Sequence, residues 1–397
     1  MVNIRFNVLD LFRSNRLALS IQRIWIQFVG LTVGYVGYFL FAVLSLYLTG
    51  FKFNQIFSQF GFFPCLYAAQ TPLGLIPQIV FAIGCIFLAV VFLITNTAVS
   101  RATFMVLKGN NFYSWREAIT FALKKAGSTI LTPIAIGLLI LSFVLGAWVV
   151  GLLGRIPYIG ELGVSLFTVV WIIAALFVVY LIVVTGVAFI LTPAILATTD
   201  EDAFEAVFQS FSATWSQPWR IVLYEGIVGG LSTLGFLIMA IMVKSSFLLM
   251  NNLFSFSMES KYVNLAAQAQ YLLQSWTMKL DPLITSIFGS LKSYFYFARD
   301  FIPLELAPTI DISAYLFSIS MIFVAGLVVS YLFATFNAGT TITYLVIKKL
   351  KDDENLLERK EENWADTVET NSKESEEAEQ EIKDQVKSDD KQEKSVK

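Results

Sequence analysis

Glu225 is the one carboxylate that falls clearly inside a long apolar run, and an ionisable side chain in such a place is a functional candidate by default. Arg220 lies five residues before it and Trp219 six. Six helical residues rise about 9 Å, so Glu225 sits near the end of its run. Pairing with Arg220, or turning toward the aqueous interface, accounts for it more simply than proton or ion coupling does. A second polar set, Asn337, Thr340, Thr341 and Thr343, lies near the end of the last apolar run, and Asn96 lies in the second. Their chemistry is hydrogen bonding between helices; Asn337 and Glu225 turned into a common cavity would instead line a solute path.

Nothing else suggests catalysis. The chain has no histidine, which excludes Ser-His-Asp and Cys-His catalysis and histidine-held zinc or haem. No P-loop, nucleophile elbow or metal-ligand spacing is present, so no catalytic set, metal or cofactor is expected. Carboxylates in the 245–311 stretch (Glu259, Asp281, Asp300, Glu305, Asp311) are scattered among Lys261, Lys279, Lys292 and Arg299, as on a solvated surface. Cys65 and Cys85 are too far apart along helix and loop for a disulfide to be expected. Trp364, with Leu356, Leu357 and Val368, is the one apolar cluster in an otherwise charged C-terminal stretch, and the one place there where a protein partner gains apolar contact.

The elements that must position these residues are apolar helices. The sequence is 56% hydrophobic and only 15% charged, far from the roughly one quarter charged of soluble domains. Six runs, near 24–49, 73–98, 128–153, 163–192, 219–243 and 313–346, are long enough to cross about 30 Å of hydrocarbon. The first is too long for a signal-peptide core and is expected to be a retained span. The expected fold is all-α: a polytopic membrane protein of about six transmembrane helices over residues 1–350, with short amphipathic cytosolic helices and a disordered charged tail over 351–397. The charge is segregated, with a balance of +6 in residues 1–350 and −8 in the tail, so the whole-chain pI of about 5.5 averages two unlike parts.

Lys and Arg placement sets an expected orientation. Arg5, Arg13, Arg16 and Arg23 precede the first span, Arg101, Lys108, Arg116, Lys124 and Lys125 follow the second, and Lys348 and Lys349 follow the sixth. Both termini are therefore expected in the cytosol, and 245–311 outside. That outer stretch shows helical apolar spacing over 265–280 and 284–301, consistent with two helices lying on the leaflet or capping the bundle.

The two cytosolic loops resemble each other. Ser114 with Glu117, and Asp202 with Glu205, each place a capping residue three positions before a glutamate, the reciprocal arrangement that starts a helix. Each predicted short helix leads straight into a span. The N-terminal arm, with Val8, Leu11, Phe12 and Leu19 on one side, is a candidate third copy, which would give three units in a ring.

Three features carry a resemblance. One is Thr192-Pro193 at a span end, followed by an acidic turn and an Ala/Ser helix through Asp202, Ala206, Ser210 and Ser212. Another is Trp219-Arg220 opening the next span. The last is Thr341-Ile342-Thr343-Tyr344 followed by Lys348, Lys349, Asp352 and Asp353. Over residues 90–355 the chain resembles a group of uncharacterised bacterial polytopic proteins that includes the membrane domain attached to some glycerophosphodiester phosphodiesterases. The catalytic domain of those enzymes depends on histidine and is not expected here, so the resemblance implies a bacterial membrane fold and does not carry that activity over.

The expectation from sequence is a non-enzymatic component of the cytoplasmic (inner) membrane. Such a protein would organise its surroundings or recruit a cytosolic protein through its tail, with the lipid bilayer and no nucleic acid as its other partner. A permease or channel for a small solute is the alternative, and a lipid-modifying enzyme the second.

Overall fold

The computed structural model describes residues 4–68, 74–277 and 307–359. A 3₁₀ segment, Val8–Arg13, leads into α1 (Ser14–Ala18), and α2 (Ile21–Leu48) and α3 (Phe53–Phe60) follow. Then come α4 (Leu75–Lys108), α5 (Trp115–Lys124), α6 (Ala126–Leu153), α7 (Ile159–Leu166), α8 (Thr168–Thr199) and α9 (Ala203–Ser216). The remaining described helices are α10 (Pro218–Met258), α11 (Ser260–Thr277) and α12 (Pro308–Asp352). Among the described residues there is no strand, and α2, α4, α6, α8, α10 and α12 are long and apolar enough to cross a membrane. The chain is thus an all-α protein of the polytopic membrane type.

The six long helices fall into three units of one design. Each unit has a short amphipathic segment, a first span and a second span: α1–α2–α4, α5–α6–α8 and α9–α10–α12. The second spans α4, α8 and α12 pack on one another pairwise and form the centre. Each first span packs on its own second span: α2 on α4, α6 on α8 and α10 on α12. Each amphipathic segment packs on the second span of the unit before it, α5 on α4 and α9 on α8. The circle closes because α1 packs on α12.

Local signals explain why the units start and stop alike. Ser114 Oγ accepts from Glu117 N (3.2 Å) and the Glu117 carboxylate accepts from Ser114 N (2.8 Å), a complete capping box. Asp202 Oδ1 accepts from Glu205 N at 3.0 Å, but the Glu205 carboxylate takes the Gln209 amide instead of turning back, so the second box is half formed. The arm has its own box: Asn7 Oδ1 accepts from Leu9 N, and buried Asp10 accepts from Asn7 N and Arg5 N. The arm is a 3₁₀ turn and a single helical turn rather than one helix, and Leu11 faces in while Phe12 and Leu19 are exposed. At the other end, each second span stops on a residue of positive φ: Gly109 (99°), Asp200 (58°) and Asp353 (54°), the left-handed cap that ends helices.

Where these nine elements meet, which we call the arm end, the second spans are enclosed on all sides. Residues 95–105, 191–199 and 337–348 are buried almost without a break. They are rich in Ala, Ser and Thr, small enough to let three helices close on a common axis. Close approach also governs α2 against α4: a Cβ on Gly30 would collide with the Thr95 side chain, and one on Gly37 with Phe87.

At the opposite end the described residues follow the capping alternative rather than the leaflet one. Helix α10 runs unbroken past Lys244 to Met258, and α11 folds back along α10 and α12. Ser318 Oγ donates to the Ala269 carbonyl at 3.0 Å, and Gln268 Nε2 to Asp311 at 3.2 Å. Phe62 N donates to the Trp276 carbonyl, which ties α11 to the loop after α3. The described part of this region therefore packs on extended spans; the helix expected over 284–301 lies outside the described residues. The boundary drawn at 350/351 falls inside the last turn of α12, and Leu356, expected in the tail cluster, is only 2% exposed and belongs with the bundle. Residues 357–397 form a separate unit, described only to 359.

Candidate functional site

Three amides from three helices meet among the second spans. Asn337 on α12 spends both amide hydrogens: Nδ2 donates to Asn96 Oδ1 on α4 (2.9 Å) and to Gln27 Oε1 on α2 (3.3 Å). Gln27 Nε2 points at Asn96 Oδ1 at 3.5 Å. All three side chains are buried: Gln27 is 0%, Asn337 4% and Asn96 7% exposed. Uncharged amides can be enclosed here because each finds a partner, and an unmet amide in this setting costs several kcal/mol, roughly 2–7 depending on the reference.

The other two first spans supply polar groups at a similar height. Thr129 on α6 lies 3.4 Å from Thr97 on α4. On α10, Glu225 Oε2 accepts from Thr340 Oγ1 of α12 at 2.9 Å, while Oε1 is buried without a hydrogen-bond partner among the described residues. Neither alternative expected for Glu225 is found: it does not pair with Arg220, and its carboxylate does not turn to the aqueous interface. Arg220 Nη1 donates to Gln217 at 3.1 Å, at the start of α10. Glu225 instead turns inward to α12, because Thr340 comes one turn after Asn337 on the face that α10 covers. Trp364 lies outside the described residues.

Two cations stitch the units together at the arm end. Arg101 of α4 is 4% exposed; its Nη1 donates to the Ala197 carbonyl of α8 at 3.0 Å, and its guanidinium lies 4.2 Å from the Phe121 ring centre of α5. Lys125 donates to the Asp200 and Glu201 carbonyls and pairs with the Asp200 carboxylate at 2.9 Å, capping α8. Both cations thus meet carbonyls at the C-terminal end of α8, where unpaired helix carbonyls attract positive charge.

Just above the amides, away from the arm end, is a cavity of about 430 Å³. Asn96 and Asn337 form its edge toward the arm end; Gly229, Ser232 and Thr233 of α10 and Phe189 and Ile190 of α8 form facing walls. Phe92, Leu93, Leu332, Phe333 and Phe336 complete an otherwise apolar lining with no charged residue. The space exists because the circular packing is incomplete at one place. Helix α2 lies against α12 and α6 against α4, but α10 has no comparable packing against α8. Gly226, Gly229 and Gly230, whose spacing suggests a close helix contact in sequence, face open space.

The sequence alone singles out Asn96, Asn337 and Glu225, and the structure brings the first two into one cluster with Glu225 one helical turn away. It misses Gln27, although a glutamine inside a predicted span was a visible signal. No group of three or more potential metal ligands exists among the described residues. The arrangement can bind and orient by hydrogen bonding, and holds no acid–base pair. No known family, curated protein or solved structure matches the chain.

Proposed function

We propose that this chain is a non-enzymatic component of a bacterial cytoplasmic membrane. It has both termini in the cytosol, organises the inner leaflet around its arm end and recruits a cytosolic protein through its tail. The observation that supports it most is the collar of three amphipathic segments. Each buries one face on a second span and leaves apolar side chains outside: Phe12 and Leu19 on the arm, Trp115 and Leu123 on α5, Phe204, Phe208 and Trp215 on α9. Arg13, Arg16, Arg116 and Lys124 accompany them on the first two segments. Rings and aliphatic chains beside cations suit the headgroup boundary, and each Lys or Arg there gains about 1 kcal/mol from an anionic surface. The sequence resemblance to bacterial polytopic membrane domains belongs to the same proposal.

The test is energy transfer from tryptophan to a dansyl-labelled anionic lipid in vesicles holding the purified protein. Transfer should exceed that for a dansyl-labelled zwitterionic lipid and fall when Arg13, Arg16, Arg116 and Lys124 are all changed to Gln. Equal transfer for both lipids would overturn it. A permease reading has one observation in its favour, the amide edge of the cavity. Glu225 is not part of that lining, and a solute path then needs the amide cluster to open; solute uptake into the same vesicles above protein-free controls, abolished by Asn337→Leu, would establish it instead.

A further inference from the structure

The cavity between α8 and α10 has a definite hydrogen-bonding character, set by what its polar groups have already spent. Asn337 Nδ2 is committed to Gln27 and Asn96, which leaves its Oδ1 as an acceptor. Asn96 Oδ1 receives both neighbouring amides, and its Nδ2 has no acceptor among the described residues. Ser232 and Thr233 donate their hydroxyl hydrogens to the Val228 and Gly229 carbonyls of their own helix, so they too can only accept. The site therefore offers one amide donor and three acceptors, with no charge.

A carboxylate or phosphate does not suit this set: it brings negative charge to three acceptors and finds one neutral donor. A hydroxyl does suit it, because it can donate to Asn337 Oδ1 while accepting from Asn96 Nδ2. The rest of the lining is aromatic and aliphatic, and the volume is within the roughly 300–1,000 Å³ of small-ligand sites. The mouth is at the side of the bundle: Phe189 is 49% exposed, Ile190 38%, and Thr233 is exposed beside them. It opens between two helices of membrane-spanning type, where the surrounding molecules are lipids.

We propose that this cavity binds an uncharged lipid with a free hydroxyl, of the diacylglycerol type. The lipid enters sideways between α8 and α10 with its hydroxyl on Asn96 and Asn337 and its chains along Phe189 and Phe333. The gap in the circular packing is then the binding site itself, and the glycines of α10 keep it open.

The experiment uses the full chain in phosphatidylcholine vesicles with a trace of diacylglycerol carrying a diazirine in one acyl chain. Illumination should attach label to peptides containing Phe189 or Phe333, and excess unlabelled diacylglycerol should suppress it. Oleate and phosphatidic acid at the same level should not. Gly229→Leu fills the cavity and should lower labelling by at least tenfold; Asn96→Leu removes one hydrogen bond and should lower it by about fivefold to tenfold. Thr233→Leu narrows the mouth on an exposed position and serves if Gly229→Leu lowers the melting temperature. Labelling that persists in a folded Gly229→Leu or Thr233→Leu variant overturns the proposal. So does equal competition by phosphatidic acid, or labelling of these positions only by a small water-soluble reagent.

Discussion

Replacing Asn337 by Leu tests the amide cluster directly. The substitution keeps the branched shape and heavy-atom number of asparagine, with bulkier methyl groups, and removes the donor that holds α2 and α4 to α12. Interhelical hydrogen bonds between membrane helices average about 0.6 kcal/mol each, so the two lost bonds account for roughly 1.2 kcal/mol. The larger part comes from what is left behind. Asn96 Oδ1 can tighten its contact with Gln27 Nε2, but Gln27 Oε1 is fully buried and has no other donor among the described residues, at a cost of about 1–3 kcal/mol. The expected loss is thus about 2–4 kcal/mol. Reversible unfolding of the purified protein in mixed micelles, titrated with a denaturing detergent, measures it. The discriminating control replaces Gln27, Asn96 and Asn337 all by Leu. With every partner gone, no acceptor is stranded, and the triple variant should be more stable than Asn337→Leu alone. A single variant within about 0.5 kcal/mol of the parent, or a triple variant that is the least stable of the set, would refute the reasoning.

Two glycines should behave in opposite ways: Gly30→Ala meets the Thr95 side chain and should cost about 1–3 kcal/mol, whereas Gly229→Ala faces open space and should be neutral or stabilising by up to about 1 kcal/mol in the same unfolding assay. In a background lacking Cys65 and Cys85, an impermeant thiol reagent added to intact cells should label Tyr271→Cys, which is exposed at the far end, and spare Ser375→Cys; the reverse pattern would invert the proposed topology. Truncation after Thr370 should leave insertion and melting temperature unchanged, and a clear drop would mean that the tail contributes to the bundle instead of serving partners.

The spans were legible because each holds at least one window of 18 residues in which apolar side chains dominate. Their true ends were not. The segment Thr95–Met105 loses the apolar signal while remaining helical, because its Thr, Ser and Ala side chains are covered by neighbouring helices. The continuation of α10 through Lys244, Asn251 and Asn252 was hidden for the same reason: polar residues suggested an interface where the helix gains support from α11 and α12. Capping boxes made α5 and α9 readable, since those signals are local in sequence. The cavity was not readable. Gly30 and Gly229 look alike in a sequence, and only the arrangement of neighbours decides that one is wedged against Thr95 and the other borders empty space. Glu225 shows the limit from the other side: its nearest cation in sequence, Arg220, is not the group it meets.

Closure of the ring by the arm has a consequence in time. Tyr331 donates its hydroxyl hydrogen to the Asn15 carbonyl across 316 residues of chain. At synthesis rates of about 5–20 residues per second, the arm leaves the ribosome roughly 15–60 s before the surface that will cover it has been made. During that interval α1 has no α12 to rest on, and the first two units exist with one flank of the growing bundle unsealed. The exposed Leu9, Phe12 and Leu19 give the arm somewhere to wait, since the same side chains that face outward in the finished protein can hold it at the bilayer surface until the last helix arrives.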